Sequence, residues 1–204
     1  MERKRSDDNY LPRQPSGAAV MRVEVTDALS RAFFSEWSRV GYAALSLERV
    51  AKAAGVGKAA LYRRWPSKAA MASDLLSRVG LTLTETGDMG SLEADVRALL
   101  LAFRRVLRHR LIRRILTDLL AEIGREPALE TALRPFQQAR RDRVQQLIER
   151  AIARGELAAT VDRETILDFL VAPLYWRLAV TKGRSDIAYI ERLVRMTKAA
   201  MAAG

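Results

Sequence analysis

An all-α fold follows from three features of this sequence. Apolar residues recur at helical spacing through most of the chain beyond Val20. The segments that carry this period are rich in Ala, Leu, Arg and Glu, all strong helix formers. No stretch alternates apolar and polar residues between turn signals, so no sheet is expected.

Turn residues at Gly41, Gly55, Pro66, Gly87 to Gly90, Gly124 to Pro127, Gly155 and Gly183 cut the chain into about nine helices. Their expected spans are 20–40, 47–54, 58–64, 67–86, 92–108, 111–123, 127–154, 163–182 and 186–203. Residues 1–19 are polar and basic and read as a flexible tail. A compact three-helix unit is expected over 20–68 and a helical bundle over 69–204.

Composition narrows the chemistry. The chain has 204 residues, with 35 Lys plus Arg against 24 Asp plus Glu and a formal net charge of +11. Such a balance favours an anionic partner, nucleic acid before membrane. There is no cysteine, which removes disulfides, thiolate metal sites and a thiol nucleophile, and fits a cytoplasmic address. The single histidine, His109, stands between Arg108 and Arg110 and reads as a surface residue. No HExxH, P-loop, GxSxG or dinucleotide glycine pattern is present, so neither an enzyme nor a cofactor or metal is expected. The most apolar stretch, 166–176, contains Asp168 and Pro173 and is too short to cross a bilayer.

The segment from Gly41 to Met71 carries the most information. Ser46 precedes an apolar run and suits a helix N-cap, accepting a bond from an otherwise orphaned N–H. Leu47, Val50, Ala51 and Ala54 then form one inward face. Gly55 supplies the left-handed residue that ends the helix. A second helix starts two or three residues later, and so short a connection makes the pair cross steeply, as in a helix-turn-helix. Leu61 and Trp65 anchor this second helix and leave Lys58, Ala59, Tyr62 and Arg63 outward. From Arg49 to Ser73 there are six basic residues and no acid, a surface suited to phosphates. Ser67 caps the next helix and presents Lys68 near its positive end.

These residues resemble the DNA-binding segment of the TetR/AcrR family of repressors. The shared elements are Gly41-Tyr42, Ser46, Val50-Ala51, Ala54-Gly55-Val56, Leu61-Tyr62, the aromatic Trp65 and Ser67-Lys68. The resemblance covers roughly residues 25–75. Early in the second helix the family often has small polar residues or glycine where this chain has Gly57, Ala59 and Ala60, and Trp65 replaces the commoner Phe. Direct base reading therefore shifts to Lys58 and Arg63, whose cations reach guanine O6 and N7, with Ala59 against a thymine methyl. Tyr62 and Lys68 match the family's phosphate contacts. The expected DNA-contacting set is Ser46, Gly57, Lys58, Ala59, Tyr62, Arg63, Arg64 and Lys68.

The resemblance implies a C-terminal domain that binds ligand and dimerises. The runs Arg154-Gly155-Glu156-Leu157 and Pro173-Leu174-Tyr175-x-Arg177 are similar to one common type of that domain. Phe103, Leu107, Leu119, Phe136, Phe169, Tyr175 and Trp176 are candidates for a ligand pocket between the fifth, seventh and eighth helices. Leu174, Leu178, Ile187, Ile190, Leu193 and Val194 lie on stripes too broad for one neighbour and are expected at a two-fold dimer interface, the alternative being an ordinary internal core. The cluster Arg104, Arg105, Arg108, Arg110, Arg113 and Arg114 fits a solvated face or an anion-binding one. The tail cations Arg3, Lys4, Arg5 and Arg13 fit a minor-groove contact or no contact. The expected function is a dimeric regulator, a repressor by default, that binds a palindromic DNA operator and leaves it when a small-molecule effector binds. The alternative is a DNA-binding regulator without an effector, acting constitutively or through a protein partner.

Overall fold

The computed structural model describes the backbone of residues 17–83 and 86–203 and the side chains of 24–78 and 86–202. The tail cations Arg3, Lys4, Arg5 and Arg13 lie outside the described residues. Among the described residues there are nine α-helices and no strand. They are α1 (Gly17–Val40), α2 (Leu47–Ala53), α3 (Lys58–Arg64), α4 (Lys68–Leu83), α5 (Leu92–Arg108), α6 (Arg110–Glu122), α7 (Pro127–Ala153), α8 (Arg163–Tyr175) and α9 (Ile187–Ala203). None of these is long and apolar enough to cross a membrane.

Local chemistry sets the first four helices. The Ser46 hydroxyl accepts a hydrogen bond from Arg49 N at 3.3 Å and caps α2. Gly55 closes α2 at φ +67°, a left-handed conformation that costs a side-chain residue about 1–2 kcal/mol. Ser67 caps α4 by accepting from Ala70 N at 3.1 Å. Leu61 and Trp65 anchor α3 in a core with Phe33, Trp37, Tyr42 and Val50. Phe33 and Trp37 meet edge-on at 5.6 Å between centroids.

This core does not stop at residue 68. Met71, Ala72 and Leu75 of α4, Ile115 and Leu119 of α6, and Leu129, Leu133 and Phe136 of α7 belong to the same buried cluster. Asp118 of α6 makes the polar link. Its carboxylate accepts from Trp37 Nε1 at 2.6 Å and from the Tyr42 backbone N–H at 2.8 Å. Gly41, at φ +79°, leaves room for it, since a Cβ there would lie 3.0 Å from Asp118 Oδ1.

A second core joins α5, α7, α8 and α9. At its edge the fully buried Asp95 accepts from Arg154 Nη2 at 2.9 Å and from Met89 N at 2.8 Å. Arg154 also bonds Glu156, whose other oxygen receives Leu92 N and so helps satisfy the start of α5.

Two expectations need correction here. Leu174, Leu178, Ile190, Leu193 and Val194 are buried in the core of a single chain and have no surface left for a second copy. Only Ile187 of that group is exposed, at 54%. The eighth helix does not run to residue 182. It gives way after Tyr175 to a π-helical turn, Trp176–Val180, closed by Thr181 N donating to Trp176 O at 2.9 Å. Pro173 lies one turn earlier and lacks the N–H that an α-helix needs at that point.

Leu107, expected at a ligand pocket, is fully buried in the second core. Leu107→Ala is therefore expected to lower the unfolding free energy by about 2–5 kcal/mol in urea denaturation. Gly41→Ala is expected to cost more than about 1 kcal/mol, since it combines a left-handed backbone with a forced shift of Asp118. Wild-type stability in either variant would contradict the packing described.

Candidate nucleic-acid interface and cavity

The α2–α3 pair presents a cationic ridge. Gly57, Lys58, Ala59 and Arg63 are exposed along one side of α3, while Leu61 and Trp65 hold the other side in the core. Tyr62 is half-buried and Ser46 is partly covered. Trp65 is fixed by its indole N–H, which donates to Asp74 Oδ2 at 2.9 Å. The face is thus carried by a helix locked in orientation, as a groove-reading element requires.

One acid organises this ridge, and it lies just upstream of the acid-free run. Glu48 of α2 pairs with Lys58 Nζ at 2.9 Å and accepts from Tyr62 Oη and Ser46 Oγ, each at 3.0 Å. The Lys58 ammonium, first among these partners, holds the Glu48 carboxyl far below its usual range, at about 2. The carboxylate is therefore ionised throughout the physiological range, and it holds Lys58 and Tyr62 side by side. Arg63 has no such partner among the described residues and extends freely from the ridge.

Two of the expected DNA contacts point elsewhere. Lys68 Nζ donates to the carbonyls of Tyr42 at 2.7 Å and Ala43 at 3.2 Å, and sits 4.2 Å from the Tyr42 ring centroid. The open carbonyls after α1 attract the ammonium more closely than solvent does. Arg64 folds back over the Trp65 ring and bonds Thr26 Oγ1 of α1. Arg49, part of the basic run, is likewise engaged by Glu36 at 2.5 Å and by the Ala44 carbonyl.

Behind this unit lies an apolar cavity of about 350 Å³. Phe103, Leu119, Phe136 and Tyr175 line it, as expected. Leu107, Phe169 and Trp176 do not. Leu107 faces the second core, and Phe169 and Trp176 stand on the outer side of their helix at 39% and 61% exposure. The walls include more of the fold than the fifth, seventh and eighth helices. Leu111, Ile112, Ile115, Leu116, Leu119 and Leu120 make α6 a principal wall. Phe34 of α1 and Leu76 of α4 also reach the cavity. The doubled apolar pairs of α6 were the sequence signal for a helix buried on two sides. Of the arginine cluster, Arg104 Nε bonds the Ser185 carbonyl at 2.5 Å, while Arg105, Arg108, Arg110 and Arg114 are exposed.

Comparison with known proteins gives a consistent picture. Residues 32–75 match the bacterial regulatory proteins of the tetR family, and residues 86–197 match the tetracyclin repressor-like C-terminal domain. The DNA-binding transcriptional repressor TetR of Mycobacteroides abscessus is 33% identical over 165 residues, covering 76% of this chain and 82% of that protein. The uncharacterized HTH-type transcriptional regulator YdeS of Bacillus subtilis is 28% identical over 156 residues, 76% of this chain and 78% of its own length. Among solved structures, the TetR family transcription regulator SCO0332 superposes with a TM-score of 0.70 at 32% identity, over 87% of this chain and 96% of that one. Salmonella enterica GusR, at 22% identity and a TM-score of 0.70 over 87% and 95% of the two chains, shares the fold. With both halves matched in order along one polypeptide, this chain belongs to the TetR family of transcriptional regulators, which are DNA-binding proteins and not enzymes.

Proposed function

We propose that the chain is a cytoplasmic, homodimeric repressor that binds a palindromic operator and is released by a small molecule held in the apolar cavity. One observation carries this reading: Phe34 and Leu76, on two helices of the unit that bears α3, are walls of the cavity itself. An occupant that displaces them acts on the reading head without an intermediary.

On DNA, Lys58, Ala59 and Arg63 reach base edges in the major groove while Tyr62 and the start of α4 meet phosphates. Ser46 and Gly57 lie at the ends of α2 and α3 that face the backbone. Lys68 supports the interface by fixing the turn after α1, and Arg64 by fixing α1 against α3. Two copies of α3 enter successive grooves about 34–36 Å apart. The second copy docks on the exposed apolar residues of α8, the π-helical turn and α9, namely Phe169, Trp176, Val180, Ile187 and Met196.

Release follows from the same contacts. A ligand pressing on α6 moves Asp118, and with it the Trp37 and Tyr42 bonds at the base of the helix-turn-helix. Pressure on Leu76 moves α4 at the same time. A coupling of about 1–3 kcal/mol lowers operator affinity by about 5- to 150-fold.

Four measurements test this reading. Affinity for a duplex selected by the protein from random sequence is expected to fall steeply with salt, and a flat dependence excludes a phosphate-based grip. Arg63→Ala is expected to relax preference at one or two base pairs by about tenfold, whereas uniform loss over all sequences assigns Arg63 to the backbone instead. Glu48→Gln is expected to release Lys58, raise affinity for duplexes of any sequence several-fold and steepen the logarithmic salt slope by about one. Trp176→Glu is expected to shift the protein to monomer in sedimentation and to weaken binding to the palindrome. A dimer that persists in this variant excludes the proposed face.

A further inference from the structure

The cavity contains one chemical irregularity. Of the residues that line it, only Gln137, Arg140 and Tyr175 have polar side chains. Leu133, Phe136, Gln137, Arg140 and Val144 follow one another at helical spacing along α7. Three of the five are buried apolar residues. Gln137 and Arg140 are exposed beside this buried stripe, and they place an amide and a guanidinium at the rim of an otherwise apolar cavity.

Arg140 lacks what a structural arginine has. Among the described residues no carboxylate or carbonyl accepts from it. Its neighbour Arg141 pairs with Glu164 at 2.5 Å. Asp168, across the adjoining cleft, makes no ion pair with Arg140. The Arg140 guanidinium instead lies 5.7 Å from the centroid of Phe136, a cavity wall. Burial pulls its pKa below the ordinary guanidinium value, and it remains a cation at neutral pH. It is also reachable from solvent, because it stands where the apolar cavity meets a second, more polar cleft of about 380 Å³. Phe103, Gln137, Arg140 and Val171 line both spaces. Arg141 and Arg143 add positive charge on the cleft side.

We propose that the cavity takes an amphiphilic carboxylate, with its apolar body among Phe103, Ile115, Leu119 and Phe136 and its carboxylate received by Arg140, with Gln137 beside it. This rests on the reading of the cavity as the effector site and specifies what that site selects. An apolar chamber discriminates poorly among apolar bodies of one size, whereas an unpaired cation at its mouth distinguishes an anion from a neutral or cationic head group. The fork of the guanidinium matches a carboxylate in two parallel bonds, which a lysine in its place does not reproduce.

The test uses the full chain with sodium decanoate, decan-1-ol and decyltrimethylammonium, three probes with the same tail and different heads. Calorimetric titration is expected to show decanoate binding ten- to a hundredfold tighter than decanol, about the range of a charge-assisted hydrogen-bonded contact, with the ammonium weakest. Arg140→Met is expected to erase the difference between decanoate and decanol while retaining decanol affinity, which reports an intact cavity. Arg140→Lys is expected to keep part of the preference. Equal affinity for decanoate and decanol in the wild type, a preference that survives Arg140→Met, or no binding of any probe overturns the proposal. Displacement of the selected duplex separates it from the reading beneath it. Decanoate that binds through Arg140 without loosening DNA supports the anion site and refutes the effector role, whereas release by decanol as readily as by decanoate supports the effector role and refutes the anion site.

Discussion

The Asp118 carboxylate is the constraint on which the relation between the two halves depends. It stands on α6, whose apolar residues wall the cavity, and accepts from the indole of Trp37 and the backbone of Tyr42. A helix with one side in the apolar cavity and the other bonded to the base of the helix-turn-helix unit cannot move at one without moving at the other. The left-handed Gly41 belongs to this arrangement, since only a residue without a side chain lets the carboxylate come so close. The contact makes the angle of the reading helix a property of the whole chain.

The ridge on α3 shows how charge can be held ready. Lys58 and Tyr62 are held together by Glu48 before any partner arrives, and Arg63 is left without a partner. An acid beside an exposed lysine lowers its non-specific attraction to phosphate, which acts on every sequence alike. It also lowers the entropy that the lysine loses on docking.

The local features were legible in the sequence and the distant ones were not. Ser46, Gly55 and Ser67 act on backbone groups within a few residues, so their roles follow from chain order alone. Leu61 and Trp65 followed from helical spacing. The role of Glu48 is not legible in the chain because Lys58 and Tyr62 lie ten or more residues away and meet it only when α2 and α3 cross. Lys68 and Arg64 were read outward from their charge, but nearby carbonyls, a hydroxyl and aromatic rings draw them back. The stripes on α8 and α9 announced burial without naming the neighbour. Leu174, Leu178, Ile190, Leu193 and Val194 face their own chain, and only Ile187 stands outside. Phe169 and Trp176, aromatic residues beside the buried stripe, project from the other side of the helix, which spacing within the chain does not reveal.

The widened spiral after Tyr175 decides which of these side chains turn outward. Ile166, Leu170, Leu174 and Leu178 are all buried and all four residues apart. In a regular α-helix a spacing of four overshoots a full turn by about 40° each time, so the fourth member would drift about 120° from the first. A broader coil takes more residues per revolution and brings Leu178 back beneath Leu174, while Trp176 and Val180 remain in solvent. The oily outer surface on which a twin subunit would settle is thus a product of coil width.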